Sequence, residues 1–239
     1  MLPPSIAPDD PSAAAMARRW REILQRVDNA ARAAGRPTPE LLAVSKTRPA
    51  ADGALLAAAG QRAFGENYVQ EAMAKQAALG TAGAGLGWHL IGHLQSNKAA
   101  EAARAFDWVE SVDRARVAAA LARHRPAEWP PLNVLLQVNV DGEASKSGCA
   151  PEALPALAAT IAAAPRLALR GLMAIPAPLA EPAARRPAFA RMRGLFEALR
   201  AQYPGVDTLS MGMSDDFEIA IAEGSTRVRI GTALFGPRR

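Results

Sequence analysis

Residues 41–66 read LLAVSKTRPAADGALLAAAGQRAFGE, and this stretch decides the fold. It opens with a short apolar run, Leu41–Ser45, and closes with another, Arg62–Glu66. Between them lies Ala51–Ala59, rich in alanine, the residue that loses least on entering a helix. A strand, a single helix and a second strand make a βαβ crossover, which places both strands parallel in one sheet.

The pattern continues in both directions. Further apolar or β-branched runs lie at Trp88–Ile91, Trp108–Val112, Leu132–Val140, Leu167–Ala174, Thr208–Met211 and Thr226–Ile230. Helical stretches separate them, at Tyr68–Leu79, Ser96–Ala105, Asp113–His124, Pro151–Ala164, Pro182–Tyr203 and Ser214–Ala222. Eight strands with helices between them is the number that closes a (β/α)8 TIM barrel. An open Rossmann-type sheet is the rival, but no G-x-G-x-x-G follows the first strand. An extra helix from about Asp10 to Ala34 precedes the barrel, its charged Arg18, Arg19, Arg21 and Asp28 alternating with Met16, Trp20, Ile23 and Leu24. Residues 1–239 read as a single α/β domain with a flexible segment at 1–9. The glycine-rich Gly80–Gly87 and proline-rich Pro176–Pro187 read as loops, not linkers.

Composition narrows the function. Lys and Arg number 28 against 23 Asp and Glu, a net charge of +5, yet the basic residues fall in scattered pairs and aromatics make up only 5%. A nucleic-acid surface would need a basic stripe with rings to stack on bases, so none is expected. The single cysteine, Cys149, excludes an intrachain disulfide and a cysteine-rich metal site. The start, MLPPSIAPDD, has no basic region followed by an apolar run, and no stretch reaches the ~20 apolar residues of a membrane span. A cytoplasmic, membrane-free monomer is the expectation.

In a barrel, chemistry gathers at the C-terminal strand ends. The first strand ends in Lys46, whose amine is partly desolvated there, which favours the neutral nucleophilic form. Ser210, Gly212 and Ser214 lead into a helix after the seventh strand, and Gly231 and Thr232 follow the eighth. Small and hydroxyl residues at these two positions suit a phosphate, bound by backbone N–H groups. A lysine facing a phosphate cup fits a ligand with an aldehyde at one end and a phosphate at the other. His89 and His93 lie in a strand entering a loop, with no His-Glu-x-x-His frame and no further ligands, so no metal is expected. His89 reads as pocket wall and His93 as a turn residue.

Five motifs in order, Leu42–Thr47, Phe64–Tyr68, Trp88–Lys98, Ser210–Asp216 and Arg229–Gly236, resemble the pyridoxal phosphate homeostasis protein family (YggS/PROSC). Asn139, Glu143 and Lys146–Gly148 also resemble that family. The resemblance runs from about residue 40 to 236 and implies a fold-type III barrel similar to the N-terminal domain of bacterial alanine racemase. It implies that Lys46 holds pyridoxal 5′-phosphate (PLP) as a Schiff base and that Arg229 faces the pyridine nitrogen. It further implies that Asn67 and His89 line the ring, and that Ser210, Gly212, Gly231 and Thr232, with Met211 and Ser214 in the same loop, hold the phosphate.

The same resemblance implies a role in vitamin B6 homeostasis, buffering or delivering PLP, with no catalytic residue assigned. PLP-dependent apo-enzymes and free amino acids are the expected partners. An arginine against the ring nitrogen leaves it unprotonated and weakens the cofactor as an electron sink. Two-base racemisation also needs a second acid/base group, a tyrosine on a separate domain in the racemases. The chain is expected to stop with the barrel, and its two tyrosines are Tyr68 and Tyr203. A weakly active PLP-dependent racemase or lyase is the alternative, and a cofactor-free Schiff-base aldolase a third reading.

Overall fold

A computed structural model of the chain describes residues 11–143, 146–177 and 181–236. The expectation for residues 1–9 lies outside them. In chain order the elements are helix α1 (Pro11–Ala33), strand β1 (Glu40–Val44), α2 (Ala50–Ala59), β2 (Ala63–Glu66), α3 (Val69–Leu79), β3 (Gly87–Leu90) and α4 (Ala99–Ala105). There follow β4 (Trp108–Val112), α5 (Ala115–His124), β5 (Leu132–Gln137), α6 (Leu154–Ala162), β6 (Leu167–Met173), α7 (Arg186–Gln202), β7 (Thr208–Ser210), α8 (Phe217–Ala222), β8 (Arg227–Ile230) and α9 (Thr232–Phe235). The strands pair in parallel, each with the next, and β8 pairs with β1 to close the barrel. The (β/α)8 architecture and the additional N-terminal helix are both present.

Two boundaries moved for local reasons. β5 ends at Gln137 rather than Val140, because Val138 leaves the ladder for an isolated bridge to Cys149. α8 starts at Phe217 rather than Ser214, because the Asp216 carboxylate accepts the Met213 N–H at 2.7 Å and holds that segment as a turn.

The main apolar core lies between strands and helices, where Leu41, Ala43, Phe64, Trp88, Leu90, Val109 and Leu136 face the helical layer. α1 lays Met16, Ile23, Val27 and Ala31 onto this layer. It crosses the seam where the barrel closes. Arg19 Nε donates to the Leu234 carbonyl of α9, Arg26 pairs with Glu218 of α8, and Trp20 Nε1 donates to Gln61 ahead of β2.

The inside of the barrel is only partly apolar. Leu42, Ala63 and Ile91, with Val44 against them, form a small cluster of their own. Buried Leu135 and Met173 lie apart from both clusters, and polar groups also meet there, as contacts between strands far apart in the ring show. Glu110 of β4 meets Arg227 of β8, and Ser210 of β7 meets the same carboxylate. The β5–β6 ladder also slips register between Val134–Leu169 and Leu135–Gly171. Gly171 takes φ +145° there, and a Cβ on it would lie 1.8 Å from the Thr208 carbonyl oxygen.

Candidate cofactor site

Lys46 follows β1 by two residues and is half-buried at the C-terminal mouth. It stands at the second position of a turn closed by the Arg48 N–H donating to the Ser45 carbonyl at 3.0 Å. Thr47, the third position, has φ +61° and is the only non-glycine residue described with positive φ. A β-branched residue takes this conformation only where its surroundings hold it.

Closure of the barrel brings some of the other expected residues beside the segment that bears Lys46. β1 and β8 are in register through Ala43 and Ile230, so Gly231 lies beside Val44. A Cβ on Gly231 would meet the Val44 carbonyl oxygen at 3.3 Å. Thr232, next along, is exposed, and Ser214 is half-buried on the neighbouring loop. Gly212 turns that loop with φ +92°, where a Cβ would press on Ala220 at 2.6 Å. The Gly212 carbonyl accepts the Arg229 N–H at 3.0 Å, tying the two phosphate-type loops together. On the other side of Lys46, β2 is in register through Val44 and Gly65 and leads into half-buried Asn67. The Asn67 backbone packs so tightly on Gly92 that a Cβ there would sit 2.2 Å from its carbonyl oxygen.

Two residues of the expected cup are placed lower. Ser210 is fully buried: its hydroxyl donates to Glu110 Oε2 at 2.6 Å and accepts from Arg229 Nη1 at 2.8 Å. Met211 is buried in the outer core, and its backbone carbonyl accepts from Ser225 Oγ at 2.7 Å. Arg229 is itself buried, its other Nη donating to the Ala174 carbonyl at 2.8 Å. Burial pulls its guanidinium downward, against the pull of Glu110 and Asp216, but arginine stays cationic in a protein.

Beneath Arg229 lies a charge cluster that the sequence did not announce. Glu110 Oε1 accepts from His89 Nδ1 at 2.8 Å and from Arg227 Nη1 at 3.0 Å, while Arg227 reaches Glu40 at 2.6 Å. Burial alone would raise the Glu110 carboxyl. The Arg227 charge, with the His89 hydrogen bond and Arg229, outweighs burial and brings it down to about 2. The Trp108 ring lies under this cluster, stacked with His89 at 5.4 Å and covered by Arg227 at 4.0 Å. His89 is therefore deep in the barrel rather than at its mouth. An acid in the middle of the strand Trp108–Val112, and arginines alternating in β8, were the available clues.

A second unannounced cluster lies outside the barrel wall, behind Lys46. Lys75 of α3 donates to the Ser45 carbonyl at 2.6 Å and to Glu66 and Glu71 at 2.7 Å each. Ser45 Oγ donates to Glu66 at 2.5 Å, and the Thr47 N–H to Glu71 at 2.5 Å. Burial pushes the Glu66 carboxyl up, with Lys75 and Ser45 pulling it back.

The remaining candidates are quiet. His93, in an irregular segment after β3, sits 3.3 Å from Ser147 Oγ and 3.8 Å from Asp113, and Lys146 pairs with Glu143 at 3.0 Å. Among the described residues no group of three His, Cys, Asp or Glu could hold a metal. Burial pushes the Cys149 thiol up to about 11, which removes it as a nucleophile at neutral pH. Arg186 and Arg193 both pair with Glu223, and Arg185 with Asp216, so all three arginines are engaged by carboxylates. No helix among the described residues is long and apolar enough to cross a membrane.

An amine at the end of β1, two small-residue loops beside it and a buried guanidinium below form one constellation. Residues 17–239 match the family model for the alanine racemase N-terminal domain. The pyridoxal phosphate homeostasis protein of Pseudomonas aeruginosa is 59% identical over 225 residues, 93% of this chain and 96% of that one. The Escherichia coli K12 protein of the same name is 51% identical over 226 residues, 93% and 97% of the two chains. The chain belongs to this family. PipY of Synechococcus elongatus, solved with PLP bound, superposes with a TM-score of 0.82 at 39% identity, covering 92% of this chain and all of that one. Alanine racemase from Corynebacterium glutamicum shares the fold, with a TM-score of 0.66 at 20% identity over 94% of this chain and 61% of its own.

Proposed function

We propose that the chain binds PLP covalently through Lys46 and serves to buffer or deliver it in vitamin B6 homeostasis. The observation that carries this reading is the closure of β8 on β1, which sets Gly231 and Thr232 beside the segment bearing Lys46. The donor set fits the cofactor at three points. The Lys46 amine condenses with the aldehyde, releasing water, to give the Schiff base. Gly212, Ser214, Gly231 and Thr232 offer small and hydroxyl groups to the phosphate. Arg229, a buried cation, suits a ring nitrogen that must stay unprotonated. Ser210 serves by holding Arg229, Met211 by anchoring the loop, and His89 by closing the floor through Glu110. Asn67 lines the ring from β2.

Bound PLP supplies an electrophilic carbon and an electron-withdrawing ring. Arg229 keeps its proton rather than transferring it to the nitrogen, so that withdrawal is weakened and carrier function is favoured over turnover. Free amino acids exchange with Lys46 for the cofactor, and apo-enzymes receive it from a cytoplasmic monomer. Borohydride treatment of the PLP-loaded protein, followed by peptide mapping, tests the reading. A pyridoxyl group on the peptide containing Lys46 is expected; a label confined to Lys98 or Lys146 overturns it.

A further inference from the structure

Lys46 is flanked by two peptide groups, and both are held by side chains of α3. On one side the Ser45 carbonyl accepts from Lys75 Nζ at 2.6 Å as well as from the Arg48 N–H. On the other the Thr47 N–H donates to Glu71 Oε1 at 2.5 Å. Lys75 and Glu71 are one helical turn apart and pair at 2.7 Å. Lys75 uses all three ammonium donors, on Ser45, Glu66 and Glu71, and is itself buried. Glu66 is fully buried, and its second oxygen, Oε2, has no hydrogen-bond partner. A buried cluster that leaves one carboxylate oxygen unsatisfied carries a cost, so its placement calls for a compensating role.

We propose that Lys75 and Glu71 act as positioning residues that hold the Lys46 turn, with Thr47 at positive φ, so that the Lys46 amine points into the barrel mouth. The inference rests on the reading of Lys46 as the cofactor-bearing lysine. The direction of a side chain follows from the orientation of the peptide planes on either side of its Cα. With Glu71 and Lys75 in place the Lys46–Thr47 peptide cannot turn over. Without them Thr47 relaxes to negative φ, the favoured region for a β-branched residue, and the amine swings aside. The phosphate loops at Gly212–Ser214 and Gly231–Thr232 make none of these contacts. The clamp therefore acts on covalent capture of an aldehyde and leaves binding of the phosphate alone.

That separation provides the test. Lys75→Met and Glu71→Met in the full chain are titrated with PLP and with pyridoxine 5′-phosphate, which carries an alcohol where PLP carries the aldehyde. The Kd for PLP should rise about tenfold, the loss of one ion-assisted hydrogen bond's worth of positioning, while that for pyridoxine 5′-phosphate stays within about twofold. Adding Thr47→Gly to Lys75→Met should recover most of the lost PLP affinity, because glycine adopts positive φ unaided. Parallel weakening for both ligands, no change for either, or failure of the glycine rescue overturns the clamp. Glu71, partly exposed, reports on it even where Lys75→Met does not fold. A wild-type chain that binds PLP without label on Lys46 overturns the functional reading. A chain labelled on Lys46 whose variants match wild type overturns the clamp alone.

Discussion

Glu110→Gln keeps the volume of a fully buried side chain and removes its charge, leaving Arg227 and His89 without their common acceptor anion. Removing one partner of a buried ion pair costs about 3–5 kcal/mol. The lowered carboxyl gives the same scale independently: a fall from 4.5 to about 2 is linked to about 3 kcal/mol of stability at neutral pH. For a chain of this size that is a drop in Tm of about 6–20 °C, whereas breaking the exposed Arg18–Glu22 pair should move Tm by no more than about 4 °C. The sign with pH follows from the direction of the shift. A carboxyl lowered by folding stabilises above its unfolded pKa, and that contribution disappears as pH falls through the window from 4.5 to about 2. The gap between wild type and variant should therefore narrow to about 1 kcal/mol at pH 3. Urea titrations at pH 7 and pH 3 measure it. A gap under about 1 kcal/mol at pH 7, or one of equal size at both pH values, would refute the reasoning.

Gly171→Ala would place a methyl carbon 1.8 Å from the Thr208 carbonyl at a φ of +145°, and calorimetry should show Tm lowered by about 6 °C or more. Gly194→Ala, on the exposed face of α7 with nothing within 4 Å of the new Cβ, should instead raise stability by about 1 kcal/mol in the same measurement. Pyridoxal, lacking the phosphate, should bind at least about 100-fold more weakly than PLP; equal Kd values would remove the phosphate role from the β7 and β8 loops. L-alanine, L-serine and L-threonine in deuterated water should shift the visible spectrum without deuterium entering at Cα, and steady exchange lost in Lys46→Ala would identify an enzyme.

The fold was legible because short apolar runs and alanine-rich helices alternate with few interruptions, and because eight such runs close a ring. The placement of Lys46 and of the loops after β7 and β8 at one mouth was legible because they follow strand ends in a closed ring. The two charge clusters were not. Glu110 and Arg227 are 117 positions apart and meet only across a closed barrel, so neither residue signals the other locally. Glu66 and Lys75 span a strand-to-helix junction, where helical and strand periods give no common face. The β6 slip at Gly171 was hidden for a related reason: a single glycine inside an apolar run leaves the alternation unchanged to the eye.

The position of α1 has a consequence for synthesis. α1 packs on α2, which follows it closely in the chain, and on α8 and α9 from the opposite end, with α8 beginning at Phe217. At about 5–20 residues per second, about 10–40 s pass between the synthesis of α1 and that of α8. Through that interval the part of the α1 surface that α8 and α9 cover stays open on the nascent chain. The seam between α1 and α8 therefore forms late, after α1 and α2 have had time to pack on each other.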